Sequence, residues 1–454
     1  IEGIRTSGDG VGGAGMEDAT DNQWNSQVSL KSARNYACDG CYEPQFPGEN
    51  WFSLGGFTTL QPLECAMNRG RTYASAGMGY LHGKVASFTS KPASEIKSFE
   101  ELYDLYLEHF DWLNRKGTNG QLMSFGANTK YCPAPLLSVF VDDCIASGRD
   151  YYSGGARYNI YGPCYTGLSS TINSLYAIKK MVYDKETAVT SLPELLECLS
   201  CDWGHHMVEP FVSQMAGQSR INAKADRFKR LREVALALPR YGRGNEDVDA
   251  IGDALIGEIA KKSVETFTNP IAPTREQLVK LAKSMGSEKH KFGIQIQPGV
   301  GTFENHVEMG FGSGASADGR RRNATIASDL SPTPSPSDRP VEHQLADFNK
   351  ALAGFGGEGV KQITNGAPTD FNIAEDFPLE GVKSVIRQFA AGSCANILTV
   401  TTASPESFTQ AMSRPERYDL LRVRTGGWSE FFTAMFPDKQ EQHRRRPLST
   451  PDSE

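Results

Sequence analysis

No stretch of this 454-residue chain approaches the run of about 20 apolar residues that a membrane-spanning helix requires. Nor does it carry an excess of positive charge. The net charge is −7 with both signs spread along the chain, which argues against a general nucleic-acid binder with a basic face. The basic run "HRRRP" (443–447) reads as a solvated terminus. Cysteines number nine, too few and too odd for a disulfide scaffold, so the expectation is a reduced, cytoplasmic protein. The opening "IEGIRTSGDGVGGAG" lacks the apolar core of a signal peptide, and no Met starts it, so the natural N-terminus is expected elsewhere. What the chain does have is 39% hydrophobic and 22% charged residues, enough to bury a core. Its length suits two or three domains, or one large α/β domain with an appendage.

The helical periodicity is clearest from Ser98, where a Ser98–Glu101 capping box opens "SFEELYDLYLEHFDWL" and Phe99, Leu102, Tyr103, Tyr106, Phe110 and Leu113 share a face. Similar starts stand at Ser191, Thr274 (with Gly286 as a C-cap) and Ser404–Pro405. Short β-branched runs at 291–297 and 395–402 predict strands. The unit "VKSVIRQFAAGSCANILTVTT" predicts helix, glycine stop and strand, as an α/β layer requires. The prolines of "SPTPSPSDRP" (331–340) predict an extended linker and a candidate boundary.

Two C-x-x-C pairs bear chemistry-capable sulfur. In "CLSCDWGHH", Cys198, Cys201, His205 and His206 have metal-like spacing, yet cysteines three apart on an amphipathic helix more often pack as small hydrophobes. In "NYACDGCYEP" (35–44), Cys38 and Cys41 have Gly40 between them and Pro44 just after, which predicts a tight loop tip and not the helix start of a thioredoxin-type pair. The neighbours Asp39 and Glu43 are acidic and would hold a thiol neutral, the opposite of what an activated thiolate needs. A neutral thiol beside a carboxylate suits hydrogen-atom transfer at sulfur with proton handling at Glu43. Near the C-terminus, "RVRTGGWSEFF" (422–432) places Gly426 and Gly427 between two strand-like runs. A tight turn explains them plainly; a reachable Cα–H is the chemical alternative.

In this order the motifs resemble a glycyl radical enzyme of the pyruvate formate-lyase superfamily, its C-terminal half. "DGCYEP" resembles the Gly-Cys-Val-Glu-Pro loop, "GGARYNIYGPCYTG" (154–167) the Gly-Pro-Gln-Gly segment, and "GSGASADGRRRNATIASDLSP" (312–332) the Asp-Gly-Arg-Arg stretch. "RVRTGGWSEFF" is similar to the radical-bearing Arg-Val-Ala-Gly-Tyr motif, and "ALPRYGRGNEDVDAI" (237–251) also has the family's look. The resemblance implies part of a ten-stranded α/β barrel, with the N-terminal half missing and strand edges left unpaired. It implies residues 1–322 as the barrel part with the Cys loop and 323–454 as the glycine radical domain. Gly427 would hold the glycyl radical, with Gly426 as runner-up; Cys41 would be the thiyl and Glu43 the acid/base. The radical would be installed by a radical S-adenosylmethionine activating enzyme, with no bound cofactor or metal. A homodimer acting on a small molecule, oxygen-sensitive and anaerobic, completes the implied picture.

Several positions depart from the family pattern. Pyruvate formate-lyase uses adjacent cysteines, whereas residue 40 is Gly, which disfavours formate acetyl transfer. The Cys-x-Glu pattern resembles the dehydratase and decarboxylase branch, with cleavage of a C–O, C–N, C–S or C–C bond. Cys164 stands at the usual Gln, Trp428 at the usual Tyr, and Thr425–Gly426 at Val-Ala. A non-catalytic homologue would need only Gly427, so the presence of both Cys41 and Glu43 favours an enzyme.

Overall fold

The structure, a computed structural model, describes residues 30–39, 42–73, 75–76, 83–124, 129, 131–208, 211–213, 215–268, 294–302, 305–340, 346–391, 396–426 and 428–451. Cys41, Gly427 and the helix expected from Thr274 to Gly286 lie outside the described residues.

The first strands are β1 (Ala37–Asp39), β2 (Glu43–Gln45), β3 (Asn50–Gly55), β4 (Tyr158–Tyr165), β5 (Ile294–Ile296) and β6 (Gly299–Val300). Then come β7 (Ala346–Asp347), β8 (Pro368–Ile373), β9 (Ile397–Thr402), β10 (Arg422–Thr425), β11 (Trp428–Phe431) and β12 (Leu448–Thr450). Strands β3, β4 and β5 form one parallel sheet, with β6 continuing the edge beside Cys164 and Tyr165. A second parallel sheet runs β7-β12-β8-β9. A parallel bridge between Gly299 and Gly366, with Val300 N–H donating to the Gly366 carbonyl at 2.8 Å, sews the two sheets together. These strands form part of an α/β barrel, as expected from the sequence.

Parallel neighbours need long crossovers, which helices supply while covering the outer face. Accordingly every residue of β4 and β8 is buried. The Ser98 cap holds: Glu101 N–H donates to Ser98 Oγ at 3.1 Å, and helix α1 runs Phe99–Ser124, longer than the periodicity alone marked. Its Phe110 ring packs 5.4 Å from Phe57 and 5.1 Å from Tyr165, fixing α1 to the end of β4. Ser191 caps α2 (Leu192–Ser200), and Ser404 caps α4 (Pro405–Ser413), which follows α3 (Leu379–Ala390) and β9. The segment 331–340 has no regular structure, as its prolines dictate, but it is tied down. Arg445 Nη1 donates to the carbonyls of Pro336 and Arg339, both at 2.8 Å.

The reading of "HRRRP" as a solvated terminus is overturned. Helix α5 (Pro437–Arg445) turns these side chains inward: His443, Arg445 and Arg446 are buried. Arg445 bonds Glu441, and Arg446 bonds Asp370 at 3.0 Å. Burying guanidinium groups is tolerated because carboxylate and carbonyl partners meet them.

Candidate active site at the seam of two sheets

The two turns singled out in the sequence ride on antiparallel hairpins that belong to neither parallel sheet. In the first, β1 pairs with β2 so that Asp39 faces Glu43. The loop tip expected at Gly40 and Cys41 lies outside the described residues. Glu43 is 3% exposed, and its Oε2 accepts from the Tyr42 amide at 3.2 Å. The Cys38 thiol is held above its ordinary range by desolvation and then by the Glu43 charge, so no activated thiolate forms there.

Tyr42 is fully buried and drives its ring into the sheet seam. A Cβ on residue 301 would stand 1.3 Å from the Tyr42 hydroxyl, and one on residue 366 would stand 2.5 Å from its ring. Glycine at both positions is therefore the condition for this hairpin to enter. Burial, then the nearby Cys164, Asp329 and Glu43, push the Tyr42 phenol far up, so it stays neutral. Cys164 lies beside it on β4 and accepts from Asn365 Nδ2 at 3.5 Å. Its thiol is pushed up to about 12, chiefly by burial and next by the charge of Glu43. A neutral thiol, a neutral phenol and an amide thus surround the Glu43 end of the hairpin.

The second hairpin pairs β10 with β11, Thr425 opposite Trp428, leaving a two-residue connection. Such turns need positive φ, which Gly426 supplies at +50°. The plain explanation of the glycine pair as a turn residue therefore holds at Gly426. Thr425 and Gly426 are buried. Beneath them lie two carboxyls. Asp370 accepts from Gly426 N–H at 3.4 Å, from Arg446 Nη2 at 3.0 Å and from the Thr399 hydroxyl. Asp329 Oδ1 accepts from Thr302 N–H at 2.7 Å, and its Oδ2 from the Ser328 hydroxyl at 2.7 Å. Arg446 also reaches the Arg424 carbonyl at 3.2 Å, so one guanidinium holds the hairpin stem to β8. Burial and the Asp370 charge lift Asp329 to about 6, with the Thr302 and Ser328 hydrogen bonds pulling it partly back.

The two hairpins meet through a short chain of contacts. Tyr42 rests on Gly301; Thr302, the next residue, holds Asp329; Asp329 lies against Gly426. Of the residues expected to act, Glu43 is thus at this seam. Cys41 and Gly427 each adjoin a residue placed there.

Other motifs sit elsewhere. The Asp-Gly-Arg-Arg stretch forms a structural knot: Arg321 bonds the fully buried Asp202 at 2.6 Å and 2.9 Å, and Arg320 bonds the carbonyls of Gly314, Arg321 and Ala324. Cys198 and Cys201 are fully buried in the apolar core, whereas His205 and His206 are exposed. Among the described residues no group of His, Cys, Asp and Glu could hold a metal ion, and the cysteines pack as small hydrophobes. No described helix is long and apolar enough to cross a membrane.

Sequence reasoning did not single out Asp329, Asp370, Tyr42 or Asn365. A signal existed for Asp370, an acid inside the strand "PTDFNI" where acids are depleted.

Comparison with known proteins follows the same lines. The chain is 23% identical over 420 residues to a (2S)-3-sulfopropanediol dehydratase of Klebsiella oxytoca, covering 90% of this chain and 44% of the relative. It is 22% identical to an isethionate sulfite-lyase of Bilophila wadsworthia, covering 91% and 44%. A solved structure concerning 1,2-propanediol dehydration in Roseburia inulinivorans superposes with a TM-score of 0.73 at 23% identity, covering 93% of this chain and 47% of that one. The chain therefore spans about half the length of the proteins it matches. The profile described as Pyruvate formate lyase-like matches residues 15–310, well over half of the sequence, and the chain belongs to that family.

Proposed function

We propose that the chain carries the hydrogen-transferring loops of a glycyl radical lyase of the dehydratase type. Gly427 would store the unpaired electron and take a hydrogen atom from the Cys41 thiol. The Cys41 sulfur would then take a hydrogen atom from a substrate carbon. Glu43, at hydrogen-bonding reach of that loop, would deliver a proton to the departing group. The substrate radical would lose that group, and the hydroxyl on the radical carbon would return a proton to Glu43. The product radical would regain a hydrogen from Cys41, and the Cys41 thiyl would retake one from Gly427, so the cycle balances. A separate radical S-adenosylmethionine enzyme would install the radical. Relatives named for a dehydratase and a sulfite-lyase point to a small hydroxylated or sulfonated substrate and a C–O or C–S bond. On this reading residues 323–454 act as the glycine radical domain and 1–322 as the barrel part.

The observation that carries the proposal is the convergence of the two hairpins on Gly301, Thr302 and Asp329, although far apart in sequence. The neutral surroundings of Glu43 and Cys164 add support, since hydrogen-atom transfer needs S–H and not a thiolate. The test is anaerobic activation followed by electron paramagnetic resonance. A glycyl doublet is expected in the wild type and in an inactive Cys41→Ala variant, and none in Gly427→Ala. A doublet that survives Gly427→Ala, or full turnover by Cys41→Ala, would remove the assignment.

A further inference from the structure

A cavity of about 640 Å³ is walled by the turn after residue 237, the 318–325 loop and the 333–340 segment. Five arginines line it against three carboxylates. Most of these charges are matched at the rim. Arg321 pairs with Asp202 and Asp338, and Arg339 with Glu233. Arg320 is enclosed by carbonyl oxygens and Ser316.

Arg240 is different. Its side chain is 12% exposed, and among the described residues its one ion-pair contact is to Asp318 Oδ2 at 3.3 Å. A guanidinium has five N–H donors, and Asp318 is itself shared with the Ser316 hydroxyl at 2.6 Å and the Arg320 amide. Burial lowers the Arg240 pKa, with Asp318 offsetting only part of the cost. A largely buried cation with donors to spare, facing a cavity, is suited to an oxyanion, because charge-assisted bonds to a guanidinium are strong and often bidentate.

We propose that this cavity is a binding site for a small molecule bearing a phosphate or carboxylate group, with Arg240 gripping the oxyanion. The volume exceeds what a bare phosphate fills, so the ligand carries an organic portion. The wall formed by residues 333–340 is held by Arg445, Arg243 donates to the Thr333 carbonyl at 2.7 Å, and Gln442 of α5 also lines the space. Occupancy would thus brace the linker against α5.

The experiment is calorimetric titration of the protein at low salt with inorganic phosphate, glycerol 3-phosphate and succinate. Binding of at least one probe is expected, weakening as salt rises, with an organic phosphate or dicarboxylate exceeding inorganic phosphate. Arg240→Met should weaken it about tenfold or more, the loss expected for a charged hydrogen-bonding partner. Arg240→Lys, which keeps the charge but loses the fork, should fall between, and remains informative if the Met variant does not fold. Arg339→Met at the rim should change affinity less than Arg240→Met. No heat and no thermal stabilisation with any of the three probes would overturn the proposal, as would binding indifferent to both substitutions at 240.

Discussion

Oδ2 of Asp329 lies 3.2 Å from where a Cβ on Gly426 would stand. Gly426 also has φ +50°, so a side chain there meets backbone strain and a buried carboxyl together. Gly426→Ala should cost about 1–2 kcal/mol for the left-handed conformation alone. Faster hydrogen exchange confined to residues 422–431, with a small drop in Tm, would be the signature. Unchanged exchange in that peptide would refute the geometry.

The Asp329 carboxyl gives the hairpin a pH dependence of definite sign. Its folded pKa of about 6 stands above the ordinary 3.8, so the neutral form is the one the fold prefers. That preference is complete below the unfolded value and is lost as pH rises through about 6. The groups around it are Asp370 from β8, Tyr42 and Cys164 from the seam, and Arg446 reaching Asp370 from beyond α5. Exchange in 422–431, corrected for intrinsic rate, should therefore loosen between about pH 4 and 6, from the unfolded to the folded titration of this carboxyl, and level off above that. In Asp329→Asn, which mimics the neutral acid, that change should flatten. An equal slope in both proteins would exclude Asp329 as its source.

Tyr42 and Gly301 should be energetically coupled. Gly301→Ala alone collides with the Tyr42 hydroxyl and ring and should destabilise strongly. Truncating the ring in Tyr42→Ala should itself cost about 3–5 kcal/mol as a cavity. The double variant should be less damaged than the sum, and a double-mutant cycle by urea denaturation measures the difference. Strict additivity would mean that the ring does not occupy the space at 301.

Asp202 offers a control far from the seam. It is fully buried and meets Arg321 and the Arg322 amide. Asp202→Ala strands those donors and should cost about 3–5 kcal/mol, as removing one member of a buried pair does. Denaturant midpoints should report it, while exchange in 422–431 at a given stability stays as in the wild type.

Much of this was legible in the sequence. Local rules sufficed for the capped helices at Ser98, Ser191 and Ser404, because a hydroxyl cap and apolar periodicity are settled within a few residues. The buried character of "HRRRP" was not legible, since burial depends on Asp370 and Pro336, distant in the chain. Nor was the pairing of Tyr42 with Gly301 and Gly366, where each residue alone has an ordinary explanation. Long-range partners carry no local signature, and Asp329 with Asp370 shows it most clearly: two unremarkable acids become a site only once β8 and the 426 turn are packed together.

The two hairpins enter the seam as separate inserts, and among the described residues the strands of each pair only with each other. A substitution on the exposed side of either hairpin therefore leaves the pairing of the parallel strands intact.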